Sequence, residues 1–167
     1  QHMIREIFTK CVLIFGCGNT LFGDDGFAPA VIDHLLKHCR VPDFVAAQDV
    51  GTSISDLLFD MALSPDKPRS VFIVDAVSLP GKPPGELFEL KIDKLPRQKS
   101  GDFCLHQFPS VNLLHELKHS AGVDVRILAV QVKAIPETVC PGLSAEVSAA
   151  IPSACAWLLS AVGAPEC

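Results

Sequence analysis

The sequence has no apolar run that approaches the ~20 residues of a membrane-spanning helix. It also has no leader in which positive charge precedes an apolar stretch, so we expect a cytoplasmic protein that neither enters a membrane nor is secreted. The net charge of −5 makes nucleic acid and anionic membrane surfaces unfavourable partners. Gln1 and His2 precede Met3 and resemble a cloning remnant, so the native chain is expected to begin at Met3.

Seven cysteines are present, but their number is odd and no CxxC pair occurs among them. The spacing of a zinc knuckle is therefore missing. A chain of 167 residues with 49% hydrophobic residues can build a core without a disulfide framework. We expect reduced thiols, most of them packed as small apolar side chains.

Apolar patterns predict strands and helices in alternation. Strands are expected near residues 11–16, 44–49, 71–74, 86–90 and 125–132, and helices near 26–39, 54–61, 110–119 and 144–162. Alternation of this kind produces a mostly parallel sheet between layers of helices. The predicted fold is a single α/β domain over residues 3–167, a three-layer α/β/α sandwich with a central sheet of about five strands.

Polar side chains follow the predicted strands at the edge where open α/β sheets place their chemistry. Asp24 and Asp25 come after the first strand, Asp75 directly after the third, and His106 in the loop before the helix near 110–119. A carboxylate at the end of a buried strand is costly without a cation or hydrogen-bond donors. Two carboxylates and an imidazole suit a borderline divalent metal. Asp24 is better interpreted as the cap of the first helix.

Each of these residues also has an ordinary structural interpretation. Asp75 alone could organise a loop, and His106 alone could be a satisfied surface or core histidine. Two further histidine pairs have the i, i+4 spacing that can bind zinc, namely His34 with His38 and His115 with His119. We interpret both pairs as solvated helix surface.

Two other kinds of site fit the sequence less well. The glycine-rich turn at residues 16–21 lacks the third glycine of a dinucleotide fingerprint, and acids stand where a pyrophosphate would approach. No phosphate-loop Lys-Ser/Thr and no G-x-S-x-G elbow occur. A thiol hydrolase stays open as an alternative, because Cys17 lies in the first turn and Cys104 stands two residues before His106.

Several motifs occur together in one order along residues 11–150. They are GCGNTLFGDDGFAP from Gly16, DVGT from Asp49, VFIVDA from Val71, PG at Pro80 and PGE at Pro84, CLHQ from Cys104, IPE from Ile135 and GLS from Gly142. In this order they resemble the hydrogenase maturation endopeptidases, which process the large subunit of nickel-iron hydrogenases. The chain departs from the family pattern at Ala28 and Val50, where the family usually has glycine. Cys17 and Phe27 in the opening motif look most like the deazaflavin-reducing archaeal branch.

The resemblance implies a role for three of the polar residues. Asp25, Asp75 and His106 match the family's metal-site positions, and the same residues are the expected catalytic groups. Nickel is implied to arrive with the substrate, so no permanently bound cofactor is expected. The implied partner is the precursor of a hydrogenase large subunit, from which a C-terminal extension is removed. A monomer is expected to dock this precursor.

Three functions follow from these residues and remain distinct. The leading one is a nickel-dependent processing endopeptidase. The second is a chaperone that checks for nickel without cutting, and the third is a metal hydrolase that carries its own ion.

Overall fold

The computed structural model describes residues 7–94 and 111–163. The strands are β1 (Val12–Cys17), β2 (Val45–Gly51), β3 (Ser70–Val77), β4 (Leu87–Leu90) and β5 (Asp124–Gln131). The helices are α1 (Phe27–His38), α2 (Ile54–Leu63), α3 (Val111–His119), α4 (Ala145–Ala149) and α5 (Ile151–Ala161), with short 3-10 helices at Gly23–Gly26 and Ile92–Lys94. Within these described ranges, no helix has the length and apolarity needed to cross a bilayer.

The strands form one sheet in the order β2-β1-β3-β5-β4. The four strands other than β4 pair in parallel, and β4 pairs antiparallel with β5. Every residue of β1 and of β3 is buried, as expected for central strands covered on both faces. The predicted parallel sheet of about five strands is confirmed.

Alternate residues of the central strands enter two separate cores, because side chains along a strand point to opposite faces. Ile14 and Val74 pack with the apolar faces of α1 and α5. Phe15 and Ile73 pack with α2 and α3 on the other face. The helices therefore cover both faces of the sheet, and the predicted three layers are confirmed.

The α1 helix lies unusually close to β1 at Gly16. A Cβ atom at this position would stand 2.6 Å from Cγ1 of Ile32 and 2.9 Å from the carbonyl oxygen of Ala28. Only a glycine allows this approach. The close packing of α1 on β1 in turn fixes the position of the turn between them.

Two predicted boundaries are wrong. The third strand does not end at Asp75 but continues to Val77, because it pairs with β5 as far as Gln131. The terminal helix is divided at Ala150 into α4 and α5, with Pro152 in the first turn of α5. Proline lacks an N–H and favours a helix start, which explains the division.

Two interpretations of single side chains also need correction. Cys11 is disulfide-bonded, whereas Cys17, Cys39, Cys140 and Cys155 are free thiols, so the prediction of reduced thiols fails at Cys11. His115 is only 9% exposed rather than solvated.

Candidate active site

Asp25 lies in the turn that follows β1, at the carboxyl edge of the sheet. Its Oδ2 accepts a hydrogen bond of 2.9 Å from the backbone N–H of Asn19. Gly18 makes the turn possible, because its φ is +143° and a Cβ there would collide with the carbonyl oxygen of Asp25. The glycine and asparagine of the opening motif therefore hold this carboxylate in place.

Asp75 lies inside β3, one residue beyond the Val74 that pairs with Gly16 of β1. Its side chain is 7% exposed, and Oδ1 accepts a 2.8 Å hydrogen bond from the N–H of Ala76. Burial raises the pKa of Asp75 to about 8, the negative charge of Asp25 adds to the rise, and the Ala76 hydrogen bond opposes it. Near neutral pH this carboxyl group can therefore hold or release a proton.

The structure brings two of the three predicted site residues to the same edge of the sheet. The charge of Asp25 acts on Asp75 across this edge. The third, His106, lies outside the described residues, so its place in the site stays a prediction.

Cys17 ends β1 beside these acids and is 2% exposed. Burial raises the pKa of its thiol far above the ordinary value, and the negative charges of Asp75, Asp49 and Asp25 raise it further. A thiol in this state supplies almost no thiolate at neutral pH. Cys17 is therefore unsuited to nucleophilic catalysis, and Cys104, the other thiol of that alternative, lies outside the described residues.

Asp49 belongs to the same acidic edge, although the sequence did not single it out as a site residue. Its Oδ1 accepts a hydrogen bond from the N–H of Gly51 at 2.9 Å, and the carbonyl of Gly51 accepts one from the N–H of Gly18 at 3.0 Å. The register between β1 and β2 shifts at Gly16 and Cys17. This irregularity places the turn that follows β2 against the turn that follows β1. No local sequence pattern predicts it.

Asp24 does not cap α1 as predicted. The N-cap of α1 is Gly26, and no side chain caps that end. Asp24 is 2% exposed and accepts hydrogen bonds from the N–H of Lys133 at 2.8 Å and from the N–H and Oγ of Ser144 at 2.7 and 3.0 Å. Its hydrogen bonds therefore connect the turn between β1 and α1 to the segment between β5 and α4.

Gln131 is a supporting residue that the sequence interpretation missed. It is 5% exposed, and its Oε1 accepts a 2.9 Å hydrogen bond from the N–H of Leu79. Its carbonyl accepts a second bond, from the N–H of Gly85. Gln131 thus anchors both ends of the irregular segment between β3 and β4. The available signal was a polar side chain directly after the apolar run at residues 127–130.

Comparison with known proteins identifies the family to which this site belongs. Residues 29–161 match the family model described as hydrogenase maturation protease. A protein of Methanocaldococcus jannaschii named as a hydrogenase maturation protease is 36% identical over 155 residues, covering 92% of this chain and 97% of that protein. The delta subunit of the coenzyme F420 hydrogenase of Methanothermobacter thermautotrophicus is 33% identical over 91% of this chain and 94% of its own.

Solved structures share the fold. The hydrogenase maturating endopeptidase HybD of Escherichia coli has a TM-score of 0.72 at 24% identity, over 90% of this chain and 91% of that chain. A hydrogenase 2 maturation peptidase from a Thaumarchaeota archaeon is 35% identical with a TM-score of 0.58, over 92% of this chain and 99% of that one. The chain belongs to the hydrogenase maturation protease family, and it is an endopeptidase that removes the C-terminal extension of a hydrogenase large-subunit precursor.

Proposed function

We propose that cleavage requires nickel in the precursor, and that Asp25, Asp75 and His106 recognise this nickel at the carboxyl edge of the sheet. The metal is part of the substrate and not a resident cofactor. The site then serves two purposes, because the three residues that bind the nickel also position the peptide bond that is cleaved.

The observation that carries this proposal is the burial of Asp75 next to a second acid. Among residues 7–94 and 111–163, the Ala76 amide is its one hydrogen-bond donor. Burial and the charge of Asp25 both disfavour its ionised form, so the pKa is raised to about 8. A divalent cation that enters this edge would reverse both effects, because it favours the ionised form of each carboxylate.

The three side chains supply the oxygen and nitrogen donors that a borderline cation such as Ni²⁺ accepts. A water molecule near them can attack the carbonyl carbon of the scissile peptide. One of the three residues takes its proton and then gives a proton to the leaving amine. A carboxyl group whose pKa lies near neutral, as at Asp75, is suited to that exchange.

The family name does not identify the client hydrogenase. We infer a client of the deazaflavin-reducing class, because the opening motif resembles that branch and one relative is a coenzyme F420 hydrogenase subunit. We also infer that the protein acts as a monomer in the cytoplasm and docks the large precursor at the carboxyl edge of the sheet.

The direct test compares two forms of one substrate. The purified protein is incubated with the large-subunit precursor from the same genome, either loaded with nickel or free of metal, and the intact mass of the precursor is measured. We expect the mass to fall by a C-terminal peptide in the nickel-loaded sample alone. Equal cleavage of both forms would contradict the nickel requirement while leaving the protease function in place.

The alternative functions give different results in the same experiment. A chaperone without protease activity would bind the loaded precursor and leave its mass unchanged. A hydrolase with its own ion would contain metal that is lost in Asp25→Asn and Asp75→Asn, and it would lose activity on chelation before any precursor is added. Neither alternative is favoured, because two of the relatives, from Methanocaldococcus jannaschii and Escherichia coli, are named as maturation proteases.

A further inference from the structure

A group of soft metal ligands lies at the opposite end of α1 from the acidic site. His34, Cys39 and Cys155 each present a ligand atom, and these three atoms all lie within 4.8 Å of one another. Two sulfur atoms and an imidazole nitrogen form the kind of set that zinc and other borderline cations prefer.

The packing of two helices creates this group. His34 is on the last turns of α1, and Cys39 follows the end of that helix with an extended backbone. Cys155 comes from α5, where its thiol donates a hydrogen bond to the carbonyl of Val31 at 3.7 Å. The ligands thus join two elements that are more than a hundred residues apart in the sequence.

Burial differs among the three ligands in a way that suits metal entry. Cys155 is 2% exposed and fixed in the core, whereas His34 and Cys39 are half-buried. Zinc bonds of about 2.3 Å to sulfur and about 2.0 Å to nitrogen place ligand atoms about 3.5 Å apart. Binding therefore requires the ligand atoms to approach one another by up to about 1.3 Å, and a water would occupy the fourth position.

A second group of ligand atoms, from Asp93, His115 and His119, is less suited to a cation. Both nitrogens of His115 are buried without a hydrogen-bond partner in the described part of the chain. The Asp93 carboxylate, however, already accepts hydrogen bonds from Lys118 at 2.8 Å and contacts His119 at 3.0 Å. The Lys118 ammonium group therefore already neutralises the only carboxylate of this group.

We propose that His34, Cys39 and Cys155 form a binding site for a divalent cation of the zinc class, separate from the catalytic edge. The twelve residues of α1 span about 18 Å, so the bound ion and Asp25 lie at opposite ends of this helix. The ion would tie α1 to α5 and so stabilise the helix that follows the site turn. This inference does not depend on the nickel requirement proposed above.

Cobalt is the probe of choice, because Co²⁺ bound to thiolate gives a sulfur-to-metal charge-transfer band that binding to oxygen or nitrogen alone does not give. The full-length protein is titrated with Co²⁺ under argon without added reductant. We expect the band to saturate at one equivalent and to bleach when Zn²⁺ is added. The variants Cys39→Ser and His34→Gln should lose or greatly weaken the band, while Cys140→Ser, which changes an exposed free thiol, should keep it.

Thermal unfolding provides a second readout. Added Zn²⁺ should raise the Tm of the wild type and of Cys140→Ser, but not that of Cys39→Ser. Absence of the band in the wild type, or its persistence in Cys39→Ser, would overturn the proposal. Because Cys155 is buried, Cys155→Ala is used only if it folds, and the two half-buried positions decide the result.

Discussion

The carboxylate of Asp24 lies 2.7 Å from the backbone nitrogen of Ser144, from which it accepts a hydrogen bond across 120 residues of sequence. The Lys133 amide and the Ser144 hydroxyl bind the same carboxylate. Asp25 follows directly in the chain, so this buried connection determines where the neighbouring site carboxylate points. Asp24 acts as a positioning residue for Asp25, the carboxylate proposed above to recognise nickel.

Replacing Asp24 should therefore lower the free energy of unfolding, because this carboxylate supports the fold and takes no direct part in the reaction. Asp24→Asn removes an acceptor that serves several donors and introduces an NH₂ group among them, at an expected loss of about 2–4 kcal/mol in the free energy of unfolding. Urea denaturation measures this loss. Asp66→Asn, at an exposed position in a turn, is the matched control and should change stability by less than about 0.5 kcal/mol. Equal effects of the two substitutions would refute the anchoring role.

Replacing Asp75 should have the opposite effect on stability. Asp75→Asn removes a carboxyl group whose ionised form is disfavoured by burial, so we expect the free energy of unfolding to rise by about 1–3 kcal/mol at pH 8. The same variant should not process the precursor. A variant that is more stable and inactive would support the proposed catalytic role of Asp75, whereas a folded and active variant would contradict it.

The stability gain of Asp75→Asn over the wild type should increase as the pH rises. In the folded protein its pKa is raised to about 8 from 3.8, so the native state binds more protons than the unfolded state between these values. Wild-type stability attributable to this group is fully present below the unfolded pKa and is lost as the pH rises through about 8. Chemical denaturation from pH 5 to 9 should show the gap between variant and wild type widening with pH. A gap that stays constant would contradict the raised pKa.

Gly18 should tolerate no side chain. Gly18→Ala places a Cβ against the carbonyl of Asp25 at a φ of +143°, and we expect a loss of about 3 kcal/mol or more together with loss of processing. Gly122→Ala is the matched control, since Gly122 also has a positive φ, of +69°, but nothing lies within 4 Å of its added Cβ. Its expected loss is about 1 kcal/mol, with activity retained. Thermal unfolding and the mass assay together make the comparison.

The thiol of Cys17 should be dispensable for cleavage. Its pKa is raised by burial and by the surrounding acids, so it has no nucleophilic role, and Cys17→Ala should retain processing at a small cost in stability. Product formation by this variant is measured by intact mass on the nickel-loaded precursor. Complete loss of cleavage in a variant that folds normally would contradict this prediction and support the thiol-hydrolase alternative.

Much of the fold could be predicted because each signal was local. Apolar runs such as Val71–Val74 indicate buried strands, and the 3.6-residue period after Phe27 indicates a helix. The extension of β3 through Asp75 could not be predicted, because only pairing with β5 keeps a carboxylate inside a strand. The division of the last helix depends on Pro152, and a proline within a helical pattern is itself the signal for such a break.

The placement of Asp25 and Asp75 at one edge of the sheet could be predicted from the sequence, whereas the contacts that support this edge could not. Asp25 and Asp75 follow or interrupt strands at the edge where such sheets carry their chemistry, which is a rule of topology. The hydrogen-bond partners of Asp24 and Gln131 lie in distant parts of the chain, and no spacing along the sequence predicts such long-range contacts. The burial of His115 was missed for a related reason, since the polar surroundings of that residue in the sequence indicated a solvated helix face.

Recognition of substrate-borne nickel by Asp25, Asp75 and His106 is the proposal on which the other functional predictions depend. Its most direct test is the intact mass of the nickel-loaded precursor after incubation with Asp25→Asn, Asp75→Asn, His106→Ala and the exposed control Asp33→Asn, each first shown to be folded by circular dichroism. The account predicts full removal of the C-terminal peptide by the wild type and by Asp33→Asn, and an unchanged mass with each of the other three. Normal cleavage by Asp25→Asn and Asp75→Asn would contradict it.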